Sequence, residues 1–207
     1  VWGANAVNGI INIITKPAQD TPGGLVSAGS GTMEQGFSTV RYGGQLRDDL
    51  AYRVYGKTFT RDQQFAVGSD PHDDWWGANG GLRLDWRPSE LDTMTFDGGY
   101  LHSVAGRNDR RATPTAPFFT QNLENEYTDA GHVLGRWTHR LDEENSWSLQ
   151  AYWDRVTRVG GNGYVDLRWD TYDVDFQHQL PIGSRHQVVY GAGYRFIDAF
   201  LGPSQPD

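Results

Sequence analysis

The chain has 207 residues, no cysteine, 26 glycines and a formal charge of -8, with 37% hydrophobic and 13% aromatic residues and a mean hydropathy of -0.63. Without thiols there is no disulfide framework, thiolate metal site or cysteine nucleophile, and the acidic balance opposes general nucleic-acid binding. No window approaches about 18 consecutive apolar residues, which excludes a transmembrane helix but not a barrel, whose strands show lipid only every second residue.

Residues 1–17 read VWGANAVNGIINIITKP. Trp2-Gly3-Ala4-Asn5-Ala6 is a turn-rich approach, and Asn8-Gly9 is a strong turn signal. Ile10, Ile11, Ile13 and Ile14 form a β-branched run that Pro17 closes. A run so short and apolar suits a strand buried on both faces. A buried helical turn is the alternative, but the flanking Gly and Pro and the β-branching favour the strand. No charged-then-apolar leader is legible in the stretch, which reads as starting in the middle of something. Residues 18–23 follow as a polar linker.

From residue 24 to 207 the pattern has period 2. It predicts strands over 24–32, 36–46, 50–61, 76–87, 93–103, 127–141, 146–159, 165–180 and 186–200. Leu50, Tyr52, Val54 and Gly56 alternate with Arg53, Lys57 and Arg61; Leu82, Leu84 and Trp86 alternate with Arg83, Asp85 and Arg87. Trp147, Leu149, Ala151 and Trp153 share one parity, as do Val188, Tyr190, Ala192, Tyr194 and Phe196. One side is therefore apolar and the other wet. The 165–180 segment switches parity between Trp169 and Tyr172, which reads as a bulge or as the strand leaving a bilayer.

A soluble antiparallel sandwich also alternates. The connections discriminate. Residues 47–49, 88–91, 142–145 and 181–185 are short, polar turns at every second junction, whereas 62–75, 104–126 and 160–164 form the opposite, mostly longer set. That one-sided bias is the outer-membrane barrel pattern, and Greek-key sandwiches scatter their loop lengths. Trp86, Trp137 and Trp147 lie near short turns, while Trp75, Trp76, Tyr127 and Tyr164 lie where long loops meet strands. Two interfacial girdles follow, with ordinary core aromatics as the alternative.

Residues 2–16, WGANAVNGIINIITK, resemble the closing segment of the plug domain in TonB-dependent outer-membrane receptors. There an aromatic-Gly-Ala-x-Ala…Gly-x-Ile-Asn-Ile pattern precedes a short linker and the first barrel strand. Trp2 stands where Tyr is more usual, and Gly3, Ala4, Ala6, Gly9, Ile11, Asn12, Ile13 and Thr15 fit. The resemblance implies an all-β fold: an antiparallel meander forming part of a large transmembrane β-barrel, preceded by the last strand of a plug. A barrel of about eight strands is filled by its own side chains, and one that holds a plug has about 22. The eight or nine strands expected here are thus read as the first third of such a barrel, with residues 1–17 as the plug's end.

The family's activity is uptake across the bacterial outer membrane, driven through TonB, of scarce nutrients such as ferric siderophore, haem, cobalamin or oligosaccharides. The order of segments looks most like the siderophore and colicin-receptor branch. The resemblance implies no cofactor and no enzymatic activity. Its implied partners are outer-membrane lipid and lipopolysaccharide, a small-molecule cargo, and TonB, the last through a segment preceding residue 1. A plugless channel, a barrel enzyme and a soluble all-β binding domain are the alternatives.

Candidate ligand contacts are His72, Trp75, Arg107, Arg110 and Arg111 in the long loops, because guanidinium groups suit anionic complexes or lipid phosphates. His72-Asp73-Asp74 has metal-ligand chemistry, but consecutive residues rarely converge on one ion, so a solvated loop is the better expectation. Arg53, Lys57, Arg83, Asp85, Asp173 and Asp175 are expected to face the lumen and to pair with one another or with the plug, or merely to wet the wall. Gly29-Ser30-Gly31…Gly36 lacks phosphate-loop spacing. His102, Ser103, His132 and His139 lie on strands without a G-x-S-x-G elbow, although a triad assembles in space.

Overall fold

The period-2 pattern folds as it reads. The structure, a computed structural model, describes residues 14–68, 70–160, 165–183 and 185–203. A single 3₁₀ turn, Ala18–Asp20, leads into β1 (Gly23–Gly29), β2 (Gly36–Arg47), β3 (Leu50–Arg61), β4 (Trp75–Trp86) and β5 (Asp92–Ala112). The chain continues through β6 (Phe119–Arg140), β7 (Ser146–Val159), β8 (Val165–Ile182) and β9 (His186–Pro203). The nine strands form one sheet in strict chain order, each pairing its neighbour antiparallel. Such a meander needs only hairpin connections. Among the described residues β1 and β9 are the two open edges.

Cross-strand register sorts the side chains onto two faces. One row runs Leu50–Trp86–Met94–Trp137–Leu149–Phe176. It belongs to an apolar face that also carries Val54, Leu82, Val133, Tyr172 and Phe196. The opposite face carries Arg53–Arg83–Asp97 in one row and Arg136–Gln150–Asp175 in another. Among the described residues no second layer covers the apolar side. Among the described residues Ala18 and Ala51 are the only buried apolar side chains, and Tyr194 is 71% exposed.

Several boundaries differ from the sequence expectation. The loop expected over 104–126 is mostly strand: β5 and β6 stay paired from Asp92↔His139 out to Ala112↔Phe119. The sequence conceals this because residues 105–126 are polar on both parities, and a ribbon wetted on both sides shows no period. β1 stops at Gly29, not residue 32, because the Gly31 N–H closes a turn onto the Glu34 carbonyl at 2.7 Å. β8 and β9 run on to Ile182 and Pro203.

The parity change in β8 is not a bulge, since its register with β7 and β9 is unbroken across Trp169 and Tyr172. Trp169 lies on the polar face. Asp170 lies on the apolar face, where it accepts from Arg155 Nε at 2.7 Å and Trp153 Nε1 at 3.0 Å. The irregularity in pairing falls instead in β2, between Gln45 and Arg47.

Candidate functional site

The polar face has two built regions, one at each end of the strands. At the short-turn end it holds the segment that leads into β1. Asp85 accepts from four donors: Ala18 N at 2.6 Å, Arg83 Nε and Nη2 at 2.9 Å each, and Thr95 Oγ1 at 2.9 Å. Arg83 Nη1 reaches Thr15 Oγ1 at 2.9 Å. Arg53 Nη1 donates to the Lys16 carbonyl at 2.8 Å and to Thr21 Oγ1 at 3.3 Å. Ala18 is buried to 1% exposure against this wall. Gly43 admits the segment, since a Cβ there would run into the Thr21 carbonyl.

Charge-assisted bonds of this kind are the stronger ones, and Asp85 uses all its acceptor sites. Arg53, Arg83 and Asp85, expected to pair with one another or with a preceding domain, are thus brought together on the Thr15–Thr21 backbone. Lys57, Asp173 and Asp175 share the face but not this cluster. Lys57 Nζ lies 5.8 Å from the Phe59 ring centroid, Asp173 pairs with Arg195 at 2.8 Å, and Asp175 stands opposite Gly193. The plug-end residues Trp2, Gly3, Ala4, Ala6, Gly9, Ile11, Asn12 and Ile13 lie outside the described residues.

At the other end, Glu126 pairs with Arg107 and with Arg158, the latter at 3.2 Å. Glu124 stands opposite Arg107 on the same face, so two guanidinium groups and two carboxylates gather here. Arg61 stacks here on Trp75, its guanidinium 4.6 Å from the ring centroid, and Trp75 meets Phe59 edge-on at 4.7 Å. Trp75 is therefore the first residue of β4 and sits on the polar face, not in a loop or girdle.

Arg107, Arg110 and Arg111 are also strand residues, which corrects their placement in a loop. Alternation puts Arg110 on the opposite face, over Phe119 at 5.4 Å, away from Arg107. Arg111 reaches Asp109 at 3.4 Å. The three do not converge. Arg158 and Glu126 escaped the sequence reading, because only the Thr128↔Arg158 register brings them together.

The 62–74 loop packs back on β5: Gly106 N donates to the Asp74 carbonyl at 2.8 Å, and the Asn108 side chain donates to the Asp70 carbonyl. His72 adopts φ 44°, with its N–H on Asp70 Oδ1 at 3.0 Å. Asp73 accepts the Gln64 N–H at 2.8 Å. Among the described residues no group of three or more His, Asp or Glu gathers as a metal site. His102 pairs with Asp129 on the apolar face, and His132 pairs with Asp97 on the polar one. Ser103 shares that polar face but lies four positions along β5 from Gly99, the residue opposite His132.

On the apolar face three indoles turn their N–H groups toward carboxylates. Trp86 donates to Asp49 and Trp137 to Asp92, each at 2.8 Å, near the short turns. Trp153, midway along β7, donates to Asp170. Trp137 and Trp147 meet edge-on at 4.6 Å. Between these rows the face is predominantly apolar, and the strip on β9 runs from Val188 to Phe196. Among the described residues no helix is long and apolar enough to cross a membrane. No protein-family model matches the chain, and neither a curated protein nor a solved structure matches it.

Proposed function

We propose that the sheet is part of the wall of an outer-membrane β-barrel belonging to a TonB-dependent receptor, which imports a scarce nutrient, with a ferric siderophore or related iron complex as the preferred cargo. One observation carries the reading: nine antiparallel strands in chain order form a single sheet, apolar and uncovered on one side, polar on the other. A soluble sheet buries its apolar face against a second layer; lipid covers one without it. The strip on β9 has about the length, nine to eleven residues, that a tilted strand needs to span. The Trp86 and Trp137 indoles, held on carboxylates near the short turns, suit a headgroup layer at that end.

Import rests on two further supports. The first is the likeness of residues 2–16 to a plug's end. The second is the attachment of Thr15–Thr21 to the polar face, the side from which a plug would connect.

The test is growth of a deletion strain on a panel of iron chelates, cobalamin and glycans as sole sources, with the full-length protein located by membrane fractionation. Recovery in the outer membrane, with growth lost on an iron chelate and restored by the gene, is the expected outcome. Recovery in the soluble fraction overturns the barrel. Outer-membrane recovery with undiminished uptake of every source overturns import.

A further inference from the structure

We propose that the apolar face carries, near its short-turn end, a binding site for one zwitterionic phospholipid of the phosphatidylethanolamine class. The proposal rests on the membrane reading above and adds a specific ligand to it.

The site begins as a gap in the side-chain rows. One row up from the Trp86 row, register sets Tyr52, Leu84, Phe96, Gly135, Ala151 and Val174 side by side. The two smallest residues are neighbours, and nothing lies within 4 Å of where a Gly135 Cβ would be. The result is a groove of about 590 Å³, walled by Trp86, Met94, Phe96, Trp137 and Leu149 and floored by Gly135. That volume is in the range of sites that hold one small molecule. Its walls offer an acyl chain contact and no hydrogen bond.

The mouth of the groove supplies the rest. Arg47 lines it, with its guanidinium 5.9 Å from the Trp86 ring centroid and its Nε 3.2 Å from Asp49 Oδ1. Asp49 in turn accepts the Trp86 Nε1–H. A cation and an anion thus stand side by side above an apolar slot, at the turn where the sheet meets the bilayer edge. A phosphate monoanion matches Arg47 and a primary ammonium matches Asp49, in the order in which ethanolamine follows phosphate in the headgroup. A phosphatidylglycerol offers Asp49 no cation. A phosphatidylcholine offers a cation without N–H donors.

The test uses the full-length protein, purified from outer membranes, stripped of lipid and titrated in detergent with phosphatidylethanolamine or phosphatidylglycerol of matched chains, with bound lipid read by native mass spectrometry. We expect one equivalent of phosphatidylethanolamine to be retained with a preference of roughly tenfold. Gly135→Leu fills the groove and should abolish retention while assembly stays intact, because the added atoms meet open space. Arg47→Ala should lower retention of both lipids. Asp49→Asn keeps the acceptor for Trp86 but should bring the preference to near one. Equal retention of the two lipids, or retention unchanged by Gly135→Leu, in a protein that inserts and migrates as a heat-modifiable barrel, overturns the lipid site alone. A protein that never inserts overturns the membrane reading, and the site falls with it.

Discussion

On Asp85 four donors converge. It stands next to Leu84 and Trp86 in β4, so alternation alone directs it to the polar face, and register places Arg53 and Thr95 within reach of the same segment. Its side chain is 10% exposed and its Arg83 partner 16% exposed, so truncation strands the guanidinium and the Ala18 N–H with little water to replace the carboxylate. Asp85→Ala should cost about 2–3 kcal/mol at this joint. Amide exchange at Ala18 should accelerate by roughly 30- to 150-fold, measured on the protein in detergent. Asp85→Asn, which keeps acceptor oxygens, should give a smaller change. Unchanged exchange in both variants would show that the segment is held by something other than Asp85.

Among the elements, the β5–β6 hairpin is the outlier. Its strands have 21 and 22 residues, against 12 in β4, and about ten tilted residues cross a bilayer. On the membrane reading proposed above the outer half stands free of the lipid, and the 62–74 loop leans on it through Gly106. Replacing residues 105–126 with a tight turn should leave insertion and heat-modifiable migration intact while abolishing binding of the cargo identified by the growth panel. Loss of insertion would instead place the extension inside the folding unit.

The same element shows what the sequence discloses and what it hides. Where one face is dry, as in β3, β4 and β9, period 2 locates strands to within a few residues. Where both faces are wet, the period vanishes, and 105–126 read as loop. The two faces of Arg107 and Arg110 were hidden for that reason. The Arg107–Glu126–Arg158 group was hidden for another: Arg158 lies 32 positions from Glu126 along the chain, and only register joins them. Arg53, Arg83 and Asp85 were legible as one polar face because their neighbours are Tyr52, Leu82, Leu84 and Trp86.

At the scale of the molecule, the described sheet ends on two unpaired strands and exposes a broad apolar face, both of which invite association in water. Expressed as residues 1–207 alone, the chain should sediment as a heterogeneous aggregate without detergent. A monodisperse monomer that melts cooperatively in plain buffer would refute the unlayered architecture.

The attachment of the leading segment has a mechanical consequence. The segment is fastened to β3 and β4, two and three strands inside the edge, and passes over Gly43 of β2 before it becomes β1. Tension applied upstream of Thr15 is therefore transmitted first to Arg53, Arg83 and Asp85, each set in a twelve-residue strand with paired neighbours on both sides. The seven-pair β1–β2 ladder is shielded from that load. A tug that would otherwise unzip the rim strand one rung at a time must first shear a cluster of charge-assisted hydrogen bonds together, so the sheet keeps its edge while whatever lies ahead of Thr15 is pulled.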